Sequence, residues 1–410
     1  MRKLLYSWRT RKPWLIGPSV IRAREKTFAA LRSLVVSDGP GFSEFSYELA
    51  TLPVSLFWGL GILCPRDVSA YAYAGSWKDS SALQSRILGS PVVPPPEFRG
   101  RFDSYFPRVD LDTNSSMYSS SNSTEPPLYS SLLAREFYDD KRQRVLEGFF
   151  RFSPGKLVKK DLAFSVLCKS MMYPGSGAWL FAMPNAAYGQ RMTPVEFRAA
   201  VALRLMIPKF QEGGVCKLCK QPMDIFGHHS MVCSSGGAFK RRHDLVRDAL
   251  YGLAWYAQLR LEKDAAVQCL GVDVRGRQHM FRPADLLVNG SGFPRTCVDV
   301  TVISPLKRSA LVAGRPFGHA VQLAEDAKYQ KHRDACYVAG YGFKAFAVDT
   351  FGILAKSSAV LLSRLFKLVA VGRGLKLSLA AKICRERINF AVTLGVARQM
   401  VACKDEDSFM

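Results

Sequence analysis

The sequence has no apolar run that convincingly spans a membrane. The nearest stretch, Leu49 to Pro65, is uncharged and carries Leu56, Phe57, Trp58, Leu60 and Ile62. It sits at the short limit for a span and is interrupted by Pro53, Gly59 and Gly61, so it reads as a buried helix. Cysteine is too sparse for a disulfide scaffold, with ten in 410 residues. Cys64, Cys168, Cys269, Cys336, Cys384 and Cys403 read as buried, inert thiols, and Cys297 as a packed strand residue. This usage suits a reducing compartment, where clustered Cys and His bind metal. No internal repeat is present. Acid is also short: 34 Asp and Glu stand against 57 Lys and Arg, a formal net charge of +23. That imbalance points to a polyanionic partner, nucleic acid first and an anionic membrane surface second.

The remaining composition is that of a folded protein, with 48% hydrophobic residues. At this length two or three domains with sizeable cores are expected. Residues 1–88 form a basic N-terminal region of unknown role. The first 24 residues carry seven Lys or Arg and no acid, compatible with an organellar presequence, a basic arm or an arbitrary start. Residues 89–131 read as a disordered linker, because PVVPPPEF favours extended chain and NSSMYSSSNSTEPP is Ser-rich and of low complexity. Residues 132–210 return to a helical pattern. Thr193, Pro194 and Glu196 form a helix start with a capping box, and Val195, Ala199, Ala202 and Met206 share one face of the helix that follows.

Residues 211–238 hold the first site. Cys216, Cys219, His228 and Cys233 have C-x2-C-x8-H-x4-C spacing. A C-x2-C turn offers zinc two thiolates from one tight loop, and a His and a third Cys complete a tetrahedron. His229 in place of His228 gives C-x9-H-x3-C, and the spacing does not choose between them. A closed four-ligand zinc site is structural rather than catalytic.

Immediately after, Lys240, Arg241, Arg242 and His243 crowd the first turn of a helix whose inner face is Leu245, Ala249, Leu250 and Leu253 or Ala254. Cations there oppose the helix dipole, a cost that phosphate binding offsets. Strand periodicity then takes over in LRLEKDA, FRPADLLVN and RTCVDVTVIS, the last two separated by Asn289-Gly290-Ser291-Gly292. Val298, Val300 and Val302 face one way, and Cys297, Asp299, Thr301 and Ile303 the other. Asp299 is thus a mid-strand carboxylate on a largely apolar face, costly without a partner. Asp285 lies at a matching place in the neighbouring strand, and two such carboxylates can share Mg²⁺. A helix over roughly 318–337 puts Lys328 and Lys331 on one face with Ala324 and Ala335, and Glu325 is spaced to pair with Lys328. KAFAVDTF is a further strand. Residues 356–402 form two helices, broken near Gly372-Arg373-Gly374, that cover the sheet, and the acidic end frays.

Taken in order, the Cys-Cys-His-Cys knuckle, the Arg-His element, the Asp of Arg282-Pro283-Ala284-Asp285, the second Asp and the later lysines resemble one family. They look like the C-terminal region of site-specific non-LTR retrotransposon proteins, where a zinc knuckle precedes a restriction-like endonuclease of the PD-(D/E)XK superfamily. The resemblance covers roughly residues 175–355. It implies an α/β (α+β) fold, a small mixed sheet flanked by helices, over residues 239–355, with helices over 356–410. It implies a divalent-metal-dependent DNA endonuclease in which Asp285 and Asp299 bind Mg²⁺ or Mn²⁺ and Lys328 or Lys331 serves the attacking water. It further implies DNA as partner, with RNA as a further option, handled near the nuclease by Arg242 and His243, and a nuclear location. The chain departs from the pattern at Thr301, where the superfamily often has Lys, and it lacks the Y/F-x-D-D turn of a reverse transcriptase. A binding module with a dead nuclease core, or a retrotransposon remnant, is the competing expectation.

Overall fold

The alternation of Val298, Val300 and Val302 with Cys297, Asp299 and Thr301 gives a strand whose two faces are covered by different helices. The computed structural model describes residues 16–36, 41–55, 57–94, 99, 102, 129–152, 162–210, 214–265, 267–272, 277–312 and 314–404. Most of the expected linker, the basic residues 1–15 and the acidic end lie outside them. The chain divides into two compact units, Met1–Asp38, Phe42–Pro53 and Gly59–Ser153 forming one, and Gly39–Gly41, Val54–Trp58 and Pro154–Met410 the other.

The first unit contains helices α1 (Gly17–Val36), α2 (Glu44–Ala50), α3 (Pro65–Leu88) and α4 (Tyr129–Phe152). Ser43 caps α2, and Pro65 sits in the first turn of α3, where its missing N–H costs nothing. The polar centre of this unit is Lys141 on α4. Its Nζ donates to Thr51 Oγ1 at 2.6 Å and pairs with Glu48 at 2.6 Å and with Asp67. Burial alone would depress the lysine, but the Asp67 and Glu48 charges outweigh it and raise its pKa. The stretch from Leu49 to Pro65 is not the expected buried helix. Helix α2 ends at Ala50, and the chain turns back on itself, with Leu60 and Ile62 amides bonding to the Ala50 carbonyl. A Cβ at Gly59 would lie 1.7 Å from the Leu52 carbonyl oxygen, so the turn requires glycine there. No helix among the described residues is long and apolar enough to cross a membrane.

The second unit opens with α5 (Leu162–Met172) and α6 (Pro194–Arg204). The capping box on α6 is present in both directions: the Glu196 amide donates to Thr193 Oγ1, and the Thr193 amide donates to the Glu196 carboxylate at 2.7 Å. Ala199, Ala202 and Met206 are buried, whereas Val195 is solvent-exposed because it stands in the first turn, before the helix reaches its neighbours. The Cys/His knuckle follows, then α7 (Ala238–Tyr256) and the strands β1 (Arg260–Lys263), β2 (Cys269–Val272), β3 (Gln278–Phe281), β4 (Leu286–Gly290) and β5 (Phe293–Ile303). Helix α8 (His319–Val338) leads to β6 (Gly342–Asp349), and α9 (Lys356–Arg373) and α10 (Leu377–Ala402) close the chain.

The fold is mixed α/β. Its sheet has the order β1-β4-β5-β6, antiparallel except for the parallel β5–β6 pair, and β2 and β3 form a separate hairpin. Parallel neighbours need a crossover, which α8 supplies. On one face Val298, Val300, Val302, Phe346 and Val348 pack under α7, α9 and α10. On the other, Cys297, Phe343 and Ala345 meet Ala335 and Cys336 of α8. Sequence spacing pairs Glu325 with Lys328, but Glu325 is buried and turns instead to α9. It accepts from the Ser358 amide at 2.9 Å, the Ser358 hydroxyl at 2.6 Å and the Ser357 amide at 3.1 Å. The N-cap residue of α9 is Ala355, which has no side-chain acceptor, so α8 supplies the cap from outside.

Candidate metal centre and acidic pocket

The knuckle is built by short local turns. The Lys220 amide bonds back to the Cys216 carbonyl at 2.8 Å, which brings Cys219 beside Cys216. Asp224 organises the second half by accepting from the Phe226 and His229 amides, both at 3.0 Å. Gly227, at φ +75°, then opens a short 3₁₀ turn over His228–Met231, and the Cys233 amide bonds to the His229 carbonyl at 3.0 Å. That turn decides which histidine faces the cysteines. His229 Nε2 lies 3.1 Å from Cys219 Sγ, and the donor atoms of Cys216, Cys219, His229 and Cys233 all lie within 4.8 Å of one another. His228 is not in this cluster. It points away, stacked on Phe226 at 5.7 Å with its Nδ1 3.4 Å from Asp224. Adjacent residues on a tight turn project in different directions, so only one can face the thiols.

Three thiols and one imidazole in this space suit a metal such as zinc. With Zn–S bonds of about 2.3 Å, a tetrahedron has S···S edges of about 3.8 Å; Cys216 and Cys233 sulfurs stand 3.9 Å apart. The knuckle is also tied to the sheet. Gln399 of α10 donates to the Cys233 carbonyl at 2.6 Å, and the Lys217 amide bonds to the Cys403 carbonyl at 2.9 Å.

The basic run that follows splits by side. Lys240 and Arg241 are exposed. Arg242 is not available to a phosphate: it is 1% exposed and donates to the carbonyls of Met231 (2.9 Å) and Val302 (3.3 Å) and to Gln399 Oε1 (2.7 Å). One residue of a helix N-terminal turn must face inward, and here it is the arginine. Gly395 makes room for it, since a Cβ there would lie 2.6 Å from Arg242 Cγ. His243 faces the acids rather than solvent. Its Nε2 is 3.1 Å from both Asp285 Oδ2 and the Val300 carbonyl, and its Nδ1 is 3.2 Å from Asp244. Burial works against its charge, but Asp285 and then Asp244 prevail and raise its pKa, which favours the charged ring.

Leu286 pairs with Val298, and the same antiparallel register brings Asp285 opposite Asp299 at the edge of the ladder. Asp285 Oδ2 accepts the Val300 amide at 2.7 Å. Burial alone would raise Asp285, but His243 and this amide hold it below the usual carboxylate range. Asp299 behaves in the opposite way. Burial pushes it up to about 6, and Asp285 adds to the rise against the pull of Lys328. Lys328 Nζ donates to Asp299 Oδ1 at 2.8 Å. Lys331 also borders the pocket, an opening of about 470 Å³ that His243, Asp285, Asp299 and Lys328 share. The structure therefore brings Asp285, Asp299, Lys328, Lys331 and His243 to one place. It adds a residue that sequence reading missed, His332, one helical turn from Lys328 with Nε2 3.3 Å from Asp299 Oδ2. Burial, with Lys331 and Lys328 nearby, lowers His332 to about 4, so it is neutral. The i, i+4 spacing from Lys328 was the available signal.

The searches against protein-family models and against curated proteins return no match to this chain. What the chain does is therefore read from the chemistry of the knuckle and the acidic pocket.

Proposed function

We propose that the protein is a divalent-metal-dependent DNA endonuclease, akin to the restriction-like endonuclease of non-LTR retrotransposon proteins. The observation that carries this reading is the opposition of Asp285, one residue before β4, and Asp299 on β5, with Lys328 on Asp299, in one open pocket. Two carboxylates, one at the entry to β4 and one on β5, would offer a hard dication such as Mg²⁺ or Mn²⁺ its protein oxygens, with water completing the shell. The cation would polarise the scissile phosphate and the attacking water. His243 and the Val300 amide fix the Asp285 carboxylate, so that it enters the site already oriented. The Lys328 ammonium, held on Asp299, would orient the water whose oxygen attacks phosphorus; that water's proton passes to solvent as the P–O bond to the leaving oxygen breaks, and the leaving oxygen takes a proton from solvent. Lys331 on the pocket wall meets a neighbouring phosphate oxygen. The knuckle, holding zinc structurally, and the exposed Lys240 and Arg241 grip the duplex through its backbone. Nuclear DNA is the target class this reading entails.

The test is nicking of supercoiled plasmid by the purified full chain with Mg²⁺ or Mn²⁺, beside the Asp285→Ala, Asp299→Ala double variant. Nicking by the wild type alone supports the nuclease and its metal site together. A second reading, a nucleic-acid-binding module without cleavage, draws on the same pocket: Lys328 already neutralises Asp299, and His243 already pairs with Asp285. Salt-sensitive DNA binding with no nicking by either protein selects it.

A further inference from the structure

At the far end of α7 from the acidic pocket, planar and cationic side chains interleave on the surface. Trp255 is 58% exposed, a large apolar area to leave in water beside a well-filled core. Tyr256 packs edge-on against it at 5.6 Å, and the Arg373 guanidinium, from the end of α9, stands 5.6 Å from Trp255 and 4.4 Å from Tyr256. Arg387 of α10 lies between Tyr256 (4.8 Å) and Tyr188 (4.1 Å), and the two tyrosine hydroxyls bond to each other. Among the described residues neither arginine forms an ion pair, so aromatic faces are their partners. The chain segment that carries Arg373 is strongly basic up to Glu386, which pairs with Lys382. From Lys356 to Arg385 the sequence has seven Lys or Arg and no Asp or Glu. Within this run Arg373, at the end of α9 beside Trp255, and Lys376, three residues further on, are both exposed.

We infer that Trp255 and Arg373 form a stacking site for an unpaired base of single-stranded nucleic acid, with Lys376 on the adjoining phosphates. An exposed indole flanked by a guanidinium gives any base a π-face and a cation, and it needs the base out of a duplex. The exposed cations Arg373 and Lys376 supply the electrostatic half of single-strand binding. Twelve residues of α7 separate His243 from Trp255, about 18 Å along the axis at about 1.5 Å per residue. That is about five base steps at roughly 3.4 Å each. The platform is thus a separate holding point for a displaced or unwound strand, and it stands whether or not the acidic pocket cleaves.

The experiment is fluorescence anisotropy of the full-length protein with a labelled oligothymidylate of about 15 nucleotides, without added divalent cation, so that cleavage does not enter. Trp255→Ala is expected to weaken binding by about tenfold, with the salt dependence unchanged, because stacking contributes roughly 1–3 kcal/mol per base and releases no counterions. Trp255→Phe restores most of the affinity, since it returns a ring. Arg373→Ala weakens binding and also flattens the salt dependence. Trp255 is surface-exposed, so thermal unfolding should match the wild type; if Trp255→Ala perturbs the fold, the Trp255→Phe and Arg373→Ala pair decides. The inference is overturned if Trp255→Ala binds as tightly as the wild type, or if it weakens a duplex of equal length by the same factor. It is also overturned if the variant loses affinity for phosphatidylserine vesicles while keeping it for the oligonucleotide.

Discussion

Arg242 and Gln399 join through a 2.7 Å hydrogen bond across 157 residues of sequence. Gln399 spends its other end on the Cys233 carbonyl, and Arg242 also donates to the Met231 and Val302 carbonyls, while its buried Nε has no hydrogen-bond partner. One buried pair thus links the knuckle, α7, β5 and α10. The cost is a guanidinium without a carboxylate, and burial lowers its pKa to about 10. Arg242→Ala would strand three acceptors and leave a void, and should cost roughly 3–5 kcal/mol in urea unfolding. Lys240→Ala and Arg241→Ala should change stability by less than about 0.5 kcal/mol, yet lower DNA affinity and its salt dependence. Equal stability losses for all three would contradict the split between inward and outward cations.

The knuckle geometry makes a prediction about stoichiometry. Purified protein should hold one zinc per chain by elemental analysis. His229→Ala and Cys219→Ala should lose it, and His228→Ala should retain it. Because Gln399 and Lys217 fasten the knuckle to α10 and Cys403, chelation should also lower the melting temperature of the sheet unit rather than loosen the knuckle alone. Zinc retention by His229→Ala would overturn the ligand assignment.

Lys328 and Lys331 separate by energetics as well as by role. Lys328→Met leaves the Asp299 carboxylate, 8% exposed, without its cation, and should destabilise the protein by about 1–3 kcal/mol. Adding Asp299→Asn should recover most of that loss, because the charge goes with its partner. Lys331→Met should be neutral in stability and should appear only in cleavage or DNA affinity. A double-mutant cycle in urea reads the first effect directly.

Asp349, opposite Ile303 and outside the lining of the acidic pocket, gives a pH dependence of its own. It ends β6 as a buried carboxyl whose Oδ1 accepts the Phe351 and Ile353 amides, both at 2.9 Å. Burial raises it to about 7 in spite of those amides. A folded-state pKa above the unfolded value means that protonation favours the native state. The contribution is complete below about pH 4 and is lost as pH rises through about 7. Asp349→Asn keeps the oxygen that both amides use and cannot ionise. Its stability relative to wild type should therefore improve between pH 5 and pH 8, by an amount of order 2–4 kcal/mol at the upper end. Parallel stability curves for the two proteins over that range would refute it.

Much of this was legible without coordinates. Period-two alternation in Cys297–Ile303 assigned each side chain to its face, and the structure puts the valines and Cys297 in separate cores. Helix limits on either side of Gly372–Gly374, the Thr193 capping box and the close approach of three cysteines and a histidine all follow from spacings of a few residues. Such patterns are local: a helix repeats every 3.6 residues, a strand every two, and a metal loop closes within one turn. The opposition of Asp285 and Asp299 was legible for the same reason, because a short hairpin sets the register between them. Tertiary structure alone decided that His229 rather than His228 turns to the thiols, that Arg242 goes inward while its neighbours stay out, and that His332 joins Asp299. It also took Glu325 from its expected lysine and gave it to the N-terminus of α9. Each of these depends on which distant segment fills the space around a side chain, and burial by such a segment sets whether a charge is solvated, paired or silent.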